Sequence, residues 1–209
     1  AVLFIDGILF NAFAMGTGAR YSHEVLEDFF YFSSGMVIIA SILLTMSSVA
    51  EERNSGTLVI LQTSPVTELE VILGKYLAAL AMLGILTGLT IYMPAMIFVN
   101  GKVSFAHIAV GYLGLMAVGS TTAAIGIFGS TLFRSAMASA ILSGVITVTL
   151  LTAWILSQVS DPPFAEVLSY AALFDKHFVP FMEGRFNTGS LVYYASVTGV
   201  FLFGASHVL

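Results

Sequence analysis

Five long stretches of this sequence contain no Asp, Glu, Lys or Arg: Phe29–Val49, Tyr76–Val99, Phe105–Phe133, Ser135–Ser160 and Phe186–Leu209. A helix crossing the hydrocarbon core of a bilayer needs about 20 mostly apolar residues, and each stretch supplies them. Lipid offers no hydrogen-bond partners, so a spanning segment must satisfy its own backbone, as a helix does. Barrel strands are short and alternate in polarity, which excludes them here. Composition agrees, with 58% hydrophobic and only 9% charged residues, against about 25% charged in a soluble domain.

The expected fold class is therefore an all-α polytopic membrane protein with six transmembrane helices in one domain over residues 1–209. The spans fall near 1–16, 29–49, 72–99, 105–133, 135–160 and 187–209. The first, Ala1–Gly16, is too short to cross and carries Asp6, so it reads as the exit end of a helix whose entry precedes this numbering. Small residues recur at four-residue spacing in Gly84/Gly88, Gly126/Ser130, Ser139/Ser143 and Ala140/Gly144, where helices can approach closely. Ordinary packing within the bundle is expected of these pairs ahead of a dimer seam, and no dimer face is assigned from them.

Two connections are substantial, Ala50–Lys75 and Asp161–Arg185, and alternating topology places them on opposite sides of the membrane. Basic residues do not say which side is which. Arg53, Lys75 and Arg134 lie on one face, and Arg20, Lys102, Lys176 and Arg185 on the other, too even a split for the positive-inside rule.

The first connection is neither a tight turn nor a plain solvated loop. An Asn54-Ser55-Gly56 turn signal and Pro65 bound a short, apolar-leaning piece from Gly56 to Ser64. It is too short to span, so it is expected at the membrane interface or against a protein partner. A helix start follows, with Thr67 and Glu70 as a capping box and Val66 and Val71 as its hydrophobic staple. Glu68 and Glu70 sit in the first turn, where the helix dipole favours them. A short amphipathic element joined rigidly to a spanning helix is a lever.

At these residues the sequence resembles a known family. The runs Leu44-Thr45-Met46, Ala50-Glu51-Glu52-Arg53, Ser55-Gly56-Thr57-Leu58, Thr63-Ser64-Pro65-Val66-Thr67 and Leu73-Gly74-Lys75-Tyr76-Leu77 are similar to those of type-2 ABC transporter (ABC-2) permeases. Within that family the resemblance points to the gliding-motility (GldF-like) and multicopper-enzyme-maturation branch. It implies a coupling helix over residues 51–70, on the cytoplasmic side of a bacterial inner membrane, docking on an ABC ATPase. Glu51, Glu52, Arg53, Gly56, Thr57, Leu58, Leu61, Thr63 and Pro65 then form the ATPase contact. It also implies two ATPase copies, which bind the ATP and Mg, and a second permease, identical or homologous. One departure stands out: Ser47 occupies the place after Leu-Thr-Met where family members often carry a basic residue.

No phosphate-binding loop of the form Gly-x-x-x-x-Gly-Lys-[Ser/Thr] is present, so the chain is not expected to be an enzyme or to bind a cofactor directly. With no cysteine and a net charge of −5, thiol chemistry and nucleic acid are not expected. His23, His107, His177 and His207 fall in separate segments without helical metal-site spacing, so no metal is expected. Asp6 is the lone acid in a plausible span, and an intramembrane carboxylate is a pathway candidate. Pro94 should kink the third helix.

Asp161-Pro162 reads as an N-cap followed by proline at the first helical position. The aromatic residues after it fit either short helices dipping back into the outer leaflet or an interfacial aromatic belt. Two alternatives to an exporter use the same helices: a non-transporting membrane anchor of a motility or secretion machine, and a proton-coupled secondary transporter. The second needs charged residues at midplane, and Asp6 is the sole candidate.

Overall fold

The computed structural model describes residues 2–9, 22–57, 67–100 and 104–209. Among these, every regular element is a helix: α1 Val2–Leu9, α2 Ser22–Thr45, α3 Ala50–Ser55, α4 Glu68–Gly88, α5 Tyr92–Asn100, α6 Phe105–Leu132, α7 Ala136–Val159, α8 Phe164–Ala171, α9 Val179–Met182 and α10 Thr188–Val208. Five helical stretches are long and apolar enough to cross a membrane. The protein is an all-α polytopic membrane protein.

Helix α6 is the axis of the bundle, with every residue from Thr121 to Ile127 buried. It touches α2, α4, α7, α9 and α10, which its small side chains permit. A Cβ on Gly126 would lie 1.9 Å from Thr45 Oγ1 of α2, and one on Gly129 would lie 2.2 Å from Ser143 Oγ of α7. The expected small-residue pairs are thus partly intrachain seams. Gly88 and Gly144 have no atom within 4 Å of such a Cβ and close no seam among the described residues.

Two expected boundaries shift. Helix α2 begins at Ser22 rather than near 29, because a helix can run out of the lipid and continue through Glu24, Glu27 and Asp28. The third span is two pieces. Helix α4 ends at Gly88, a turn covers Leu89–Ile91, and α5 resumes at Tyr92. Pro94 sits in the first turn of α5, where a missing N–H costs least, so the kink is a break before the proline.

The second connection folds into α8 and α9. Helix α8 starts at Phe164 with Pro163 as its N-cap, not at Asp161-Pro162 as the spacing suggested. The cause is the second proline, which pushes Pro162 away from helical angles. Beyond α8 the chain dips back along the bundle, and Leu173 N donates to Leu150 O at 3.1 Å. Leu150 precedes the end of α7 at Val159 by nine residues, a descent of about 14 Å at about 1.5 Å per residue. Two tyrosines of α10 hold the dip in place, Tyr193 donating to Ala171 O and Tyr194 to Leu173 O, each at 2.7 Å.

His177 is the buried polar centre of this connector. Its ring stacks on Tyr193 at 3.8 Å, its Nε2 donates to Tyr170 O at 3.0 Å, and its Nδ1 lies 3.3 Å from Ser190 Oγ. Burial, reinforced by the neighbouring Lys176, holds its pKa below the ordinary 6.5 even though the Tyr170 carbonyl pulls the other way. Tyr170, Tyr193 and Tyr194 are the other titratable groups around it. An undocked connector would expose the ring and let it take up a proton near its ordinary value. Docking is therefore strongest above about pH 6.5 and weakens as pH falls from there towards the depressed pKa. Limited proteolysis of the connector is expected to quicken between pH 7.5 and 5.5, and His177→Gln is expected to flatten that dependence.

Candidate functional site

Three spanning helices, α2, α6 and α10, end on one face of the bundle, and α4 and α7 begin there. A helix C-terminus leaves up to four carbonyls without intrahelical partners and carries about half a negative charge. Two cations answer three such ends. Arg53 of α3 donates from Nη1 to Thr131 O at 2.6 Å and from Nη2 to Val208 O at 3.2 Å, which joins the ends of α6 and α10. Lys75 of α4 donates to Ser48 O, just beyond α2, and to Glu52 Oε1, both at 2.6 Å.

Helix α3 is thereby fixed at both ends and along its length. Its first residues have no side-chain cap of their own. Instead Ser130 Oγ of α6 accepts from Val49 N at 2.8 Å and Ala50 N at 3.0 Å, so a hydroxyl from another helix performs the N-cap role. Its last turn closes at Gly56, whose φ of 76° is a left-handed conformation that favours glycine. Glu52 ties its middle to α4 through Lys75, with side-chain exposures of 31% and 19%. That partial burial makes the pair stronger than a fully solvated one. These bonds join α3 directly to α4, α6 and α10.

The helix start expected after this segment is present. Thr67 caps α4, Glu70 N donates to Thr67 Oγ1 at 3.4 Å, and Thr67 N donates back to Glu70 Oε2 at 2.8 Å. Both residues are exposed, leaving this end of α4 open to a partner.

Of the residues expected to make the partner contact, Glu51, Glu52, Arg53, Gly56 and Thr57 stand on α3 and its end. Glu51 is exposed, whereas Arg53 and Glu52 turn inward to the bundle. Leu58, Leu61, Thr63 and Pro65 lie outside the described residues. Asp6 falls on α1, with its side chain outside the described ones. Ser130 and the two receiving carbonyls were not singled out as partners of α3. A serine close to the end of a span is a weak signal, and a backbone carbonyl has no residue identity to read.

The sequence matches the family described as "ABC-2 family transporter protein" over residues 8–173. It is 31% identical, over 140 residues, to the uncharacterized transmembrane protein YxlG of Bacillus subtilis (strain 168), covering 65% of this chain and 51% of that protein. The chain thus spans about half the length of that curated relative. No solved structure matches it.

Proposed function

We propose, since this chain belongs to the ABC-2 family of transporter proteins, that it is the membrane-spanning permease subunit of an ATP-driven exporter. Permeases of this family are transmembrane subunits without an ATPase of their own and normally work with an ABC ATPase partner. In our reading the segment over residues 51–70 docks on that ATPase from the cytoplasm of a bacterial cell. Two ATPase copies, holding ATP and Mg, drive two permeases, identical or homologous, and each permease forms half of the export path. Within the family we place the chain nearest the gliding-motility and multicopper-enzyme-maturation branch, on the residue runs between Leu44 and Leu77.

The observation that carries this reading is the wiring of α3. A six-residue helix contributes little by itself to stability, since isolated helices of this length do not form. Yet Arg53, Glu52 and the Ser130 hydroxyl attach it to three spanning helices, α4, α6 and α10. Such an element converts a push from outside the membrane into a concerted shift of helix ends.

The absence of cysteine permits a direct test by single-cysteine cross-linking in inside-out vesicles. Cysteine at Thr57 or Thr63 is expected to cross-link to the ATPase subunit, and cysteine at Ser169 in α8 is not. Cross-linking from Ser169→Cys alone, or labelling of Thr57→Cys by an impermeant maleimide in intact cells, would overturn the orientation and the docking surface together.

A further inference from the structure

Between α2 and α7, towards the face that carries α8 and α9, lies an open cavity of about 520 Å³, within the usual range for small-molecule sites. Tyr31, Phe32, Trp154 and Phe174 contribute aromatic rings to it. Tyr31 and Phe174 meet edge to face at 5.5 Å, and Tyr31 and Phe32 do likewise. Ile38, Ile39 and Leu151 add an aliphatic wall. The single charged residue of the lining is Asp175, exposed and without a hydrogen bond or ion pair to its carboxylate among the described residues.

The surroundings carry the same sign. On this face Glu24, Glu27, Asp28, Asp161, Glu166 and Glu183 outnumber Lys176 and Arg185 among the described residues. Lys176 is turned aside, its Nζ 4.9 Å from the Tyr170 ring centroid. An excess of carboxylates on this face raises the local concentration of cations, aromatic rings attract ammonium groups, and an aliphatic wall takes an alkyl chain.

We propose that this cavity binds an amphiphile with an alkylammonium head, the head against Asp175 and the aromatic rings and the tail along Ile38, Ile39 and Leu151. The proposal rests on the permease reading and adds the class of cargo. An anionic head would face Asp175 with no basic residue among the described lining residues to receive it. A neutral head would gain no charge attraction from Asp175.

Trp154 is the one tryptophan of this sequence and reports on the cavity directly. The full-length permease with its ATPase, in dodecyl maltoside micelles, is titrated with hexadecyltrimethylammonium and, separately, with hexadecyl sulfate. The signal is the fluorescence difference from the Trp154→Phe variant. A saturable change with the ammonium amphiphile and none with the sulfate is expected, and Asp175→Asn is expected to weaken binding about fivefold, the loss of one partly exposed charge contact.

Equal binding of both amphiphiles, unchanged affinity in Asp175→Asn, or no saturable change with either would overturn the proposal. So would a Gly35→Cys disulfide to a second copy together with a silent Trp154, since the cavity would then be filled by that copy. Retention of the ATPase in the purified complex is scored in the same sample. Its presence with a failed titration rejects the cargo class alone, and its absence rejects the permease reading.

Discussion

Replacing Arg53 by alanine is expected to separate ATP hydrolysis from movement of the membrane helices while leaving the protein inserted. The guanidinium bonds two spanning-helix ends at once, Thr131 O and Val208 O. Its removal leaves both carbonyls without that donor and the ends of α6 and α10 without this cross-tie. Hydrogen bonds to a charged group contribute about 1.5–3 kcal/mol each. Arg53 is only partly buried, so water recovers part of this, and a net loss of about 2 kcal/mol is expected. For a chain of this size that lowers the unfolding midpoint by about 5 °C.

The functional loss should be larger than the stability loss, because other contacts still hold the bundle while the lever has lost its grip. In reconstituted complexes, ATPase activity is expected to persist and cargo stimulation of it to disappear. Arg53→Lys keeps the charge but not the fork, and it should reach one carbonyl and give an intermediate result. Full stimulation in Arg53→Ala would show that α3 does not act through these helix ends.

Gly114→Val is expected to be among the most damaging single changes in the chain. A Cβ at Gly114 would lie 2.6 Å from Phe181 Cβ and 3.0 Å from Phe181 Cγ. Those atoms adjoin the backbone of α9, so a rotamer change cannot clear them and the connector itself must lift. Phe181 and Phe178 are both fully buried, and His107 Nε2 pins the same helix by donating to Met182 O at 2.6 Å. Overpacking of this kind costs about 3 kcal/mol or more for a branched side chain. Thermal unfolding and protease sensitivity of the connector are the measurements. Gly144→Ala is the control: its Cβ meets nothing within 4 Å, and alanine in a helix interior is expected to stabilise by about 0.5–1 kcal/mol. Equal stability of Gly114→Val and the parent chain would refute the packing described for the connector.

These two positions differ in how visible they were beforehand. The spans themselves were legible because lipid imposes one condition, a long run without charge, that composition alone reveals. The same criterion marks the charge-free part of α2 and not its start at Ser22, since polar turns beyond the lipid are helical too. The capping box at Thr67 and Glu70 was legible because both partners lie within one turn. The partners of Arg53 lie 78 and 155 residues away and are carbonyls, which every residue possesses. The start of α8 is not where Asp161-Pro162 points, because Pro163 follows and moves it to Phe164. Gly114 looked like any other small residue of a membrane helix, and its role appears once Phe181 is seen against it.

The central claim is that residues 51–70 receive force from a separate ATPase. The most direct measurement is co-purification of that ATPase with the full-length permease from native membranes, comparing the parent chain with the Leu58→Asp, Leu61→Asp double variant. The account predicts an ATPase bound to the parent chain and lost from the variant, with the permease itself equally abundant in the membrane. An ATPase retained by the variant would contradict the docking segment, and a parent chain that binds none would contradict the exporter.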